Sequence, residues 1–100
     1  MKANPLKTYT EQEIQQRILK FEYWEYNEGY LVTSLDFKNF ADAFATMTRI
    51  AFEAERLNHH PDWSNTYNNL SIQLRTHDSN GITDKDFELA AQIEKIIQGS

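Results

Sequence analysis

The sequence predicts an α+β domain in which antiparallel hairpins form a small sheet and helices cover one of its faces. Three observations carry this reading. Two stretches alternate apolar and polar residues on either side of turn-forming residues, as half-buried hairpin strands do. Three other stretches repeat apolar residues every three or four positions, as amphipathic helices do. The two kinds alternate along the chain with no repeat, low-complexity segment or linker between them, so residues 1–100 are read as one domain.

Taken in order, Met1 to Tyr9 contains Asn4-Pro5 and no periodicity, and is expected to be a loose lead-in. Thr10-Glu11-Gln12-Glu13 has the form of a capping box, in which the Thr hydroxyl and the Glu carboxylate each take a free N–H at a helix start. Ile14, Ile18 and Phe21 follow at helical spacing, which predicts a helix over Glu11 to Lys20. Phe21 to Tyr26 is rich in aromatic residues, Asn27-Glu28-Gly29 is turn chemistry, and Tyr30 to Phe37 is extended. In that second strand Leu31, Thr33, Leu35 and Phe37 share one face. Tyr23, Trp24 and Tyr26 could stack on a planar ligand, but aromatic residues of a small sheet more often build its core. From Lys38 to Asn58 the period becomes helical. Phe40, Phe44, Met47, Ala51 and Ala54 form the expected core stripe, widened by Ala43, Ile50 and Leu57.

Pro61 ends that helix, because the residue before a proline is pushed out of the α region. Termination by Asn58 or His59 sets two imidazoles at a helix carboxyl end, where the dipole favours a cation. Asp62 to Tyr67 and Leu70 to Thr76 then read as a second hairpin around Asn68-Asn69, with Leu70, Ile72 and Leu74 turned inward. His77 stands at the end of its second strand. Thr83 followed by Asp86 again has capping-box form, with Asp in place of Glu, and opens a last helix to about Ile97. Phe87, Ala90, Ile93 and Ile97 are its inward residues.

Composition excludes several classes of function. The net charge is −5 and the ten basic residues are scattered, so no nucleic-acid footprint is present. Without cysteine there are no disulfides, thiolate metal sites or Cys nucleophiles. No apolar run approaches a membrane span, and Met1 to Thr10 lacks the apolar centre of a signal peptide. A cytoplasmic protein is expected. At 100 residues its core is limited, so self-association is a natural source of further stability.

All three histidines fall in Asn58-His59-His60-Pro61-Asp62-Trp63 and Thr76-His77-Asp78. Histidine both gives and accepts a proton near neutral pH. If the helices cover one face of the sheet, the end of the long helix and the end of the last strand can meet. His59, His60 and His77 would then surround one pocket, with Asp86 or Glu55 orienting an imidazole. Acid–base catalysis is the natural chemistry of such a pocket. Ser64, Ser71 and Ser79 lack a nucleophile-elbow pattern. A three-histidine zinc site is the rival, although neighbouring side chains in extended chain point apart.

The run Glu55-Arg56-Leu57-Asn58-His59-His60-Pro61-Asp62-Trp63, with Tyr67, Thr76-His77-Asp78, Gly81-Ile82-Thr83 and Asp86, resembles the pterin-4a-carbinolamine dehydratases. The resemblance covers roughly Trp24 to Ile97. It implies a four-stranded antiparallel sheet with helices on one side. It also implies an activity, loss of water from 4a-hydroxytetrahydropterin to give the quinonoid dihydropterin. The pterin is the substrate, and no metal or organic cofactor is used.

The family's three active-site histidines carry over to His59, His60 and His77, its acidic residue to Asp86, and a further acidic position to Glu55. On this reading His59 and His77 handle protons and His60 holds the pterin ring. Asp86 either fixes a tautomer or simply caps its helix. Pro61, Trp63, Asp78 and Ser79 support the pocket, Trp63 by packing beside it. Ser79 stands where some relatives have cysteine. The resemblance further implies a homodimer or homotetramer and a functional link to a pterin-dependent aromatic amino-acid hydroxylase. Some family members are also small binding modules that stabilise a partner's dimer. A non-catalytic role of that kind is the alternative.

Overall fold

In a computed structural model, residues 6–99 are described. Of the expected lead-in, residues 1–5 lie outside the described residues. Its last residue is anchored: the Tyr9 amide donates to the Ile82 carbonyl at 2.8 Å, and the Tyr9 ring lies 5.3 Å from that of Phe87. The elements run α1 (Glu11–Ile18), β1 (Glu25–Asn27), β2 (Tyr30–Asp36), α2 (Phe40–Leu57), β3 (Asp62–Thr66), β4 (Asn69–Leu74), a single 3₁₀ turn (His77–Ser79) and α3 (Asp84–Gln98). All strand pairs are antiparallel, in the order β1-β2-β4-β3. Among the described residues, no helix is long and apolar enough to cross a membrane.

Strand alternation decides which face is covered. Leu31, Thr33 and Leu35 lie opposite Leu74, Ile72 and Leu70, and all six are buried. Ile14 of α1, Ile50 and Ala54 of α2, and Phe87, Leu89, Ala90 and Ile93 of α3 close over them in one core. Each leucine, isoleucine and phenylalanine among them contributes about 1.5–3 kcal/mol on burial. The opposite sheet face carries Ser34, Gln73, Ser64 and Thr66, all exposed.

The capping boxes form as expected. In α1 the Thr10 amide donates to Glu13 Oε1 at 2.8 Å, and the Glu13 amide donates to the Thr10 hydroxyl. In α3 the corresponding pair is Thr83 and Asp86. The helix start at Phe40 is capped by Asn39, whose side chain accepts from the Asp42 amide.

Three details differ from the sequence reading. First, α1 ends at Ile18 rather than Lys20, and β1 is only Glu25–Asn27. Trp24 precedes the strand and is buried in the core. The segment before β1 is tied to α3 instead of to a strand, because Glu94 Oε1 accepts from the Glu22 and Tyr23 amides, both at 3.0 Å.

Second, the β3–β4 loop is Tyr67-Asn68, with Thr66 opposite Asn69 and Tyr67 in the left-handed region. Asn69 belongs to the strand, where its amide reaches Ser34 and Asp36 on β2. The first hairpin turns on Glu28-Gly29, both with positive φ. A side chain at Gly29 would also meet Arg75 Nη1 at 2.6 Å.

Third, the buried stripe of α2 is Ala43, Thr46, Ile50 and Ala54, while Phe40, Phe44 and Ala51 are exposed. The exposed phenylalanines sit to one side of this stripe. Ile50 and Leu57, expected to widen the core stripe, do so: Ile50 is fully buried and Leu57 packs against the core.

Candidate active site

The site is assembled by the way α2 stops. Asn58 takes a left-handed conformation, with φ 51° and ψ 44°. Its amide donates to the Glu55 carbonyl at 3.1 Å, and the His59 amide to that of Ala54 at 3.0 Å. This pairing is a Schellman closure, which Asn tolerates better than any other residue but Gly. Pro61 then prevents the helix from resuming. The turn sends His59 into the interior, where it is 9% exposed, and leaves the His60 side chain 58% exposed. Adjacent imidazoles therefore work in different surroundings.

His59 meets α3. Its Nε2 lies 2.6 Å from Oδ1 of Asp86, a residue with no exposed surface. The other oxygen, Oδ2, accepts from the Thr83 amide at 2.9 Å and from the Thr76 hydroxyl at 2.8 Å. Asp86 thus caps α3 with one oxygen and lies against an imidazole with the other. A carboxylate only accepts hydrogen bonds, so Nε2 of His59 carries a hydrogen, and in the neutral ring the lone pair is then on Nδ1.

His77 opens the 3₁₀ turn directly after Thr76. That turn is fixed by the Thr76–Gly81 bridge, by the Ser79 amide on the Thr76 carbonyl at 3.1 Å, and by left-handed Asn80. His77 Nε2 is 3.2 Å from Asp62 Oδ2, and its ring lies edge-on to Tyr30 at 6.4 Å. Asp62 begins β3 beside the end of β4, opposite Gln73. His59, His60 and His77 are accordingly gathered at one end of the sheet. Each has its own carboxylate, since His60 Nε2 is 2.6 Å from Glu55 Oε2.

Of the other expected residues, Pro61 and Trp63 are half-buried, and Trp63 packs against the core beside Ile72. Asp78 is exposed and Ser79 half-buried on the 3₁₀ turn. Among the described residues, no three His, Asp or Glu side chains converge as a metal centre requires. The three imidazoles face three separate carboxylates, a donor set unlike a three-histidine zinc site. A groove of about 520 Å³ between α1 and α3, lined by Arg17, Lys20, Phe87 and Lys95 among others, includes none of the histidines. Volume does not locate the chemistry here; the titratable side chains do.

Sequence reasoning missed Thr76, Thr83, Asp62 and Tyr30 as members of the site. The Thr83–Asp86 capping box was the available signal for two of these contacts, since it fixes the carboxylate that His59 then uses. Nothing in the sequence joins Tyr30 to His77, because that contact depends on the register of β2 against β4.

Residues 7–96 match the family model described as pterin 4 alpha carbinolamine dehydratase. The chain is 50% identical over 91 residues to a provisionally named pterin-4-alpha-carbinolamine dehydratase of Christiangramia forsetii, covering 91% of this chain and 94% of the relative. It is 44% identical over 88 residues to a protein of the same provisional name from Sinorhizobium medicae, covering 86% and 84%. A crystal structure from Brucella melitensis, described as a transcriptional coactivator/pterin dehydratase, superposes with a TM-score of 0.87 at 34% identity. It covers 90% of this chain and 98% of that one.

Proposed function

This chain belongs to the pterin-4a-carbinolamine dehydratase family, and we propose that it removes water from a 4a-hydroxytetrahydropterin to give the quinonoid dihydropterin. In that step the C4a–O bond breaks and the hydroxyl leaves as water after taking a proton. N5 loses its proton, and the freed electron pair forms the C4a=N5 bond. One group must donate and another accept.

The observation that carries the proposal is the buried His59–Asp86 pair. A ring whose Nε2–H is committed to a carboxylate offers Nδ1 as a base, and the carboxylate stabilises the imidazolium that results, as in triads. His59 is therefore assigned the N5 proton. His77, exposed beside Asp62, gives a proton to the leaving hydroxyl, and exposed His60 holds the pterin ring. Dehydration of a 4a-carbinolamine pterin, followed by stopped-flow absorbance, should be faster with protein than in buffer. His59→Ala and His77→Ala should each slow it at least roughly a hundredfold, the scale of a general acid or base. A wild-type rate equal to that of buffer would reject the proposal.

The proposal uses no metal and no organic cofactor, and the separate carboxylate partners of the histidines support it. Activity should survive extensive chelation; loss on chelation with recovery on adding zinc would reverse this point. We place the reaction in the cytoplasm, with a pterin-dependent aromatic amino-acid hydroxylase supplying the carbinolamine.

A second reading, binding to a protein partner, draws on the exposed phenylalanines of α2 and on the coactivator description of the Brucella structure. Retention of partner binding by a protein inactive on pterins would favour it.

A further inference from the structure

We propose that Thr76 is the positioning residue that sets both proton-handling histidines, through its side chain for His59 and its backbone for His77. The inference rests on the acid–base reading of the site.

The side-chain argument is one of hydrogen-bond direction. Thr76 has a single hydroxyl proton, and it goes to Asp86 Oδ2 at 2.8 Å. Thr76 Oγ1 and Thr83 Oγ1 are 2.7 Å apart, so the hydroxyl of Thr83 must be the donor in that contact. The proton directions then run one way, from Thr83 to Thr76 to Asp86. Oδ2 is filled by the Thr76 hydroxyl and the Thr83 amide, which leaves Oδ1 facing His59 as a pure acceptor. Thr76, Thr83 and Asp86 are all buried, so no bulk water can replace a missing donor cheaply.

Without the Thr76 hydroxyl, Oδ2 keeps only the backbone donor. The carboxylate is then free to turn, which releases His59 from the tautomer that leaves Nδ1 bare. Asp86 holds the ring; Thr76 holds Asp86.

The backbone argument concerns the next residue. The Thr76 amide donates to the Gly81 carbonyl at 2.9 Å, while the Thr76 carbonyl accepts from the Ser79 amide at 3.1 Å and the Gly81 amide at 3.4 Å. These bonds close the turn whose first residue is His77. One residue therefore ties the buried imidazole to the exposed one.

The test compares Thr76→Val, which keeps the shape and loses the hydroxyl, with Thr76→Ser, which keeps the hydroxyl. Nitrogen-15 NMR of the His59 ring reads the tautomer directly, with no need for turnover. Wild type and Thr76→Ser should carry the hydrogen on Nε2, and Thr76→Val should show a mixture of tautomers. In the dehydration assay, Thr76→Val should lose about tenfold in kcat with KM nearly unchanged, a part of the general acid–base contribution, and Thr76→Ser should recover most of it.

An unaltered tautomer and an unaltered kcat in folded Thr76→Val would overturn the proposal. Should Thr76→Val not fold, the wild-type spectrum still decides: a hydrogen on Nδ1 rather than Nε2 refutes the chain of donors. Wild-type protein that is inert on the carbinolamine yet shows the expected tautomer shift in Thr76→Val refutes the dehydratase reading and leaves the positioning role standing.

Discussion

His59–Asp86 and His60–Glu55 have the same N···O separation, 2.6 Å, and quite different surroundings. The first pair is buried and its carboxylate takes two further donors; the second has both side chains more than half exposed. Exposed pairs contribute little because water solvates the separated groups nearly as well. A buried acceptor that loses its match leaves donors unsatisfied at about 1–3 kcal/mol. Asp86→Asn, which points an amide N–H₂ at groups that are themselves donors, should therefore lower stability by about 1–3 kcal/mol. Glu55→Gln should change it by less than about 0.5 kcal/mol. Urea unfolding at neutral pH measures both, and equal effects would show that burial does not separate the two pairs. The histidines were visible in the sequence because all three fall in two short segments, while Glu55 and Asp86, two of fifteen carboxylates, were singled out by the family resemblance and, for Asp86, by its capping box. Thr76 and Asp62 were not visible as site residues, since a polar residue at a strand end is common and its partner is set only by folding.

Periodicity located each helix and strand but not always the side of a helix that faces inward. In α2 the expected stripe holds at Ala43, Ile50 and Ala54, which are buried, and at Met47 and Leu57, which pack against the core, but fails at Phe40, Phe44 and Ala51, which are exposed. Caps, by contrast, were legible at all the sites read from sequence, because a capping box is a local contact between residues three apart. The box in α1 also has a pH signature. The Thr10 backbone N–H, the largest influence, holds the Glu13 carboxyl below the usual Glu value; desolvation, next in size, opposes it, and Lys7 and the Thr10 hydroxyl add smaller help. Because the folded value is the lower one, this contribution to α1 is fully present above the ordinary Glu value and is lost as pH falls through the folded value. The Thr10 amide proton should shift in NMR across that acidic window, and Glu13→Gln should abolish the shift. A Thr10 amide that titrates identically in the variant would remove Glu13 as its cause.

Among the described residues of this 100-residue chain, two sheet edges and one apolar helix face remain open. The edges are β1, only three residues long, and β3, whose Asp62, Ser64 and Thr66 are exposed. Unpaired strand edges invite pairing with another chain. On α2, Phe40 and Phe44 stack with centroids 5.9 Å apart while both remain about half exposed, and Phe52 is 70% exposed. A helix face that is neither core nor polar fits a contact between copies, and the family resemblance points the same way. We therefore expect light scattering at micromolar concentration to give a dimer or tetramer, well above the 11.8 kDa of one chain. Two substitutions on the same helix then separate surface from core. Phe44→Glu changes an exposed ring and should dissociate the assembly while leaving the circular dichroism of the fold intact. Leu57→Glu puts a charge against the core and should destabilise the domain itself. If wild type stays at the monomer mass as concentration rises, the α2 face is not a contact between copies. If Phe44→Glu unfolds the chain while Leu57→Glu only dissociates it, the assignment of the two faces of α2 is reversed.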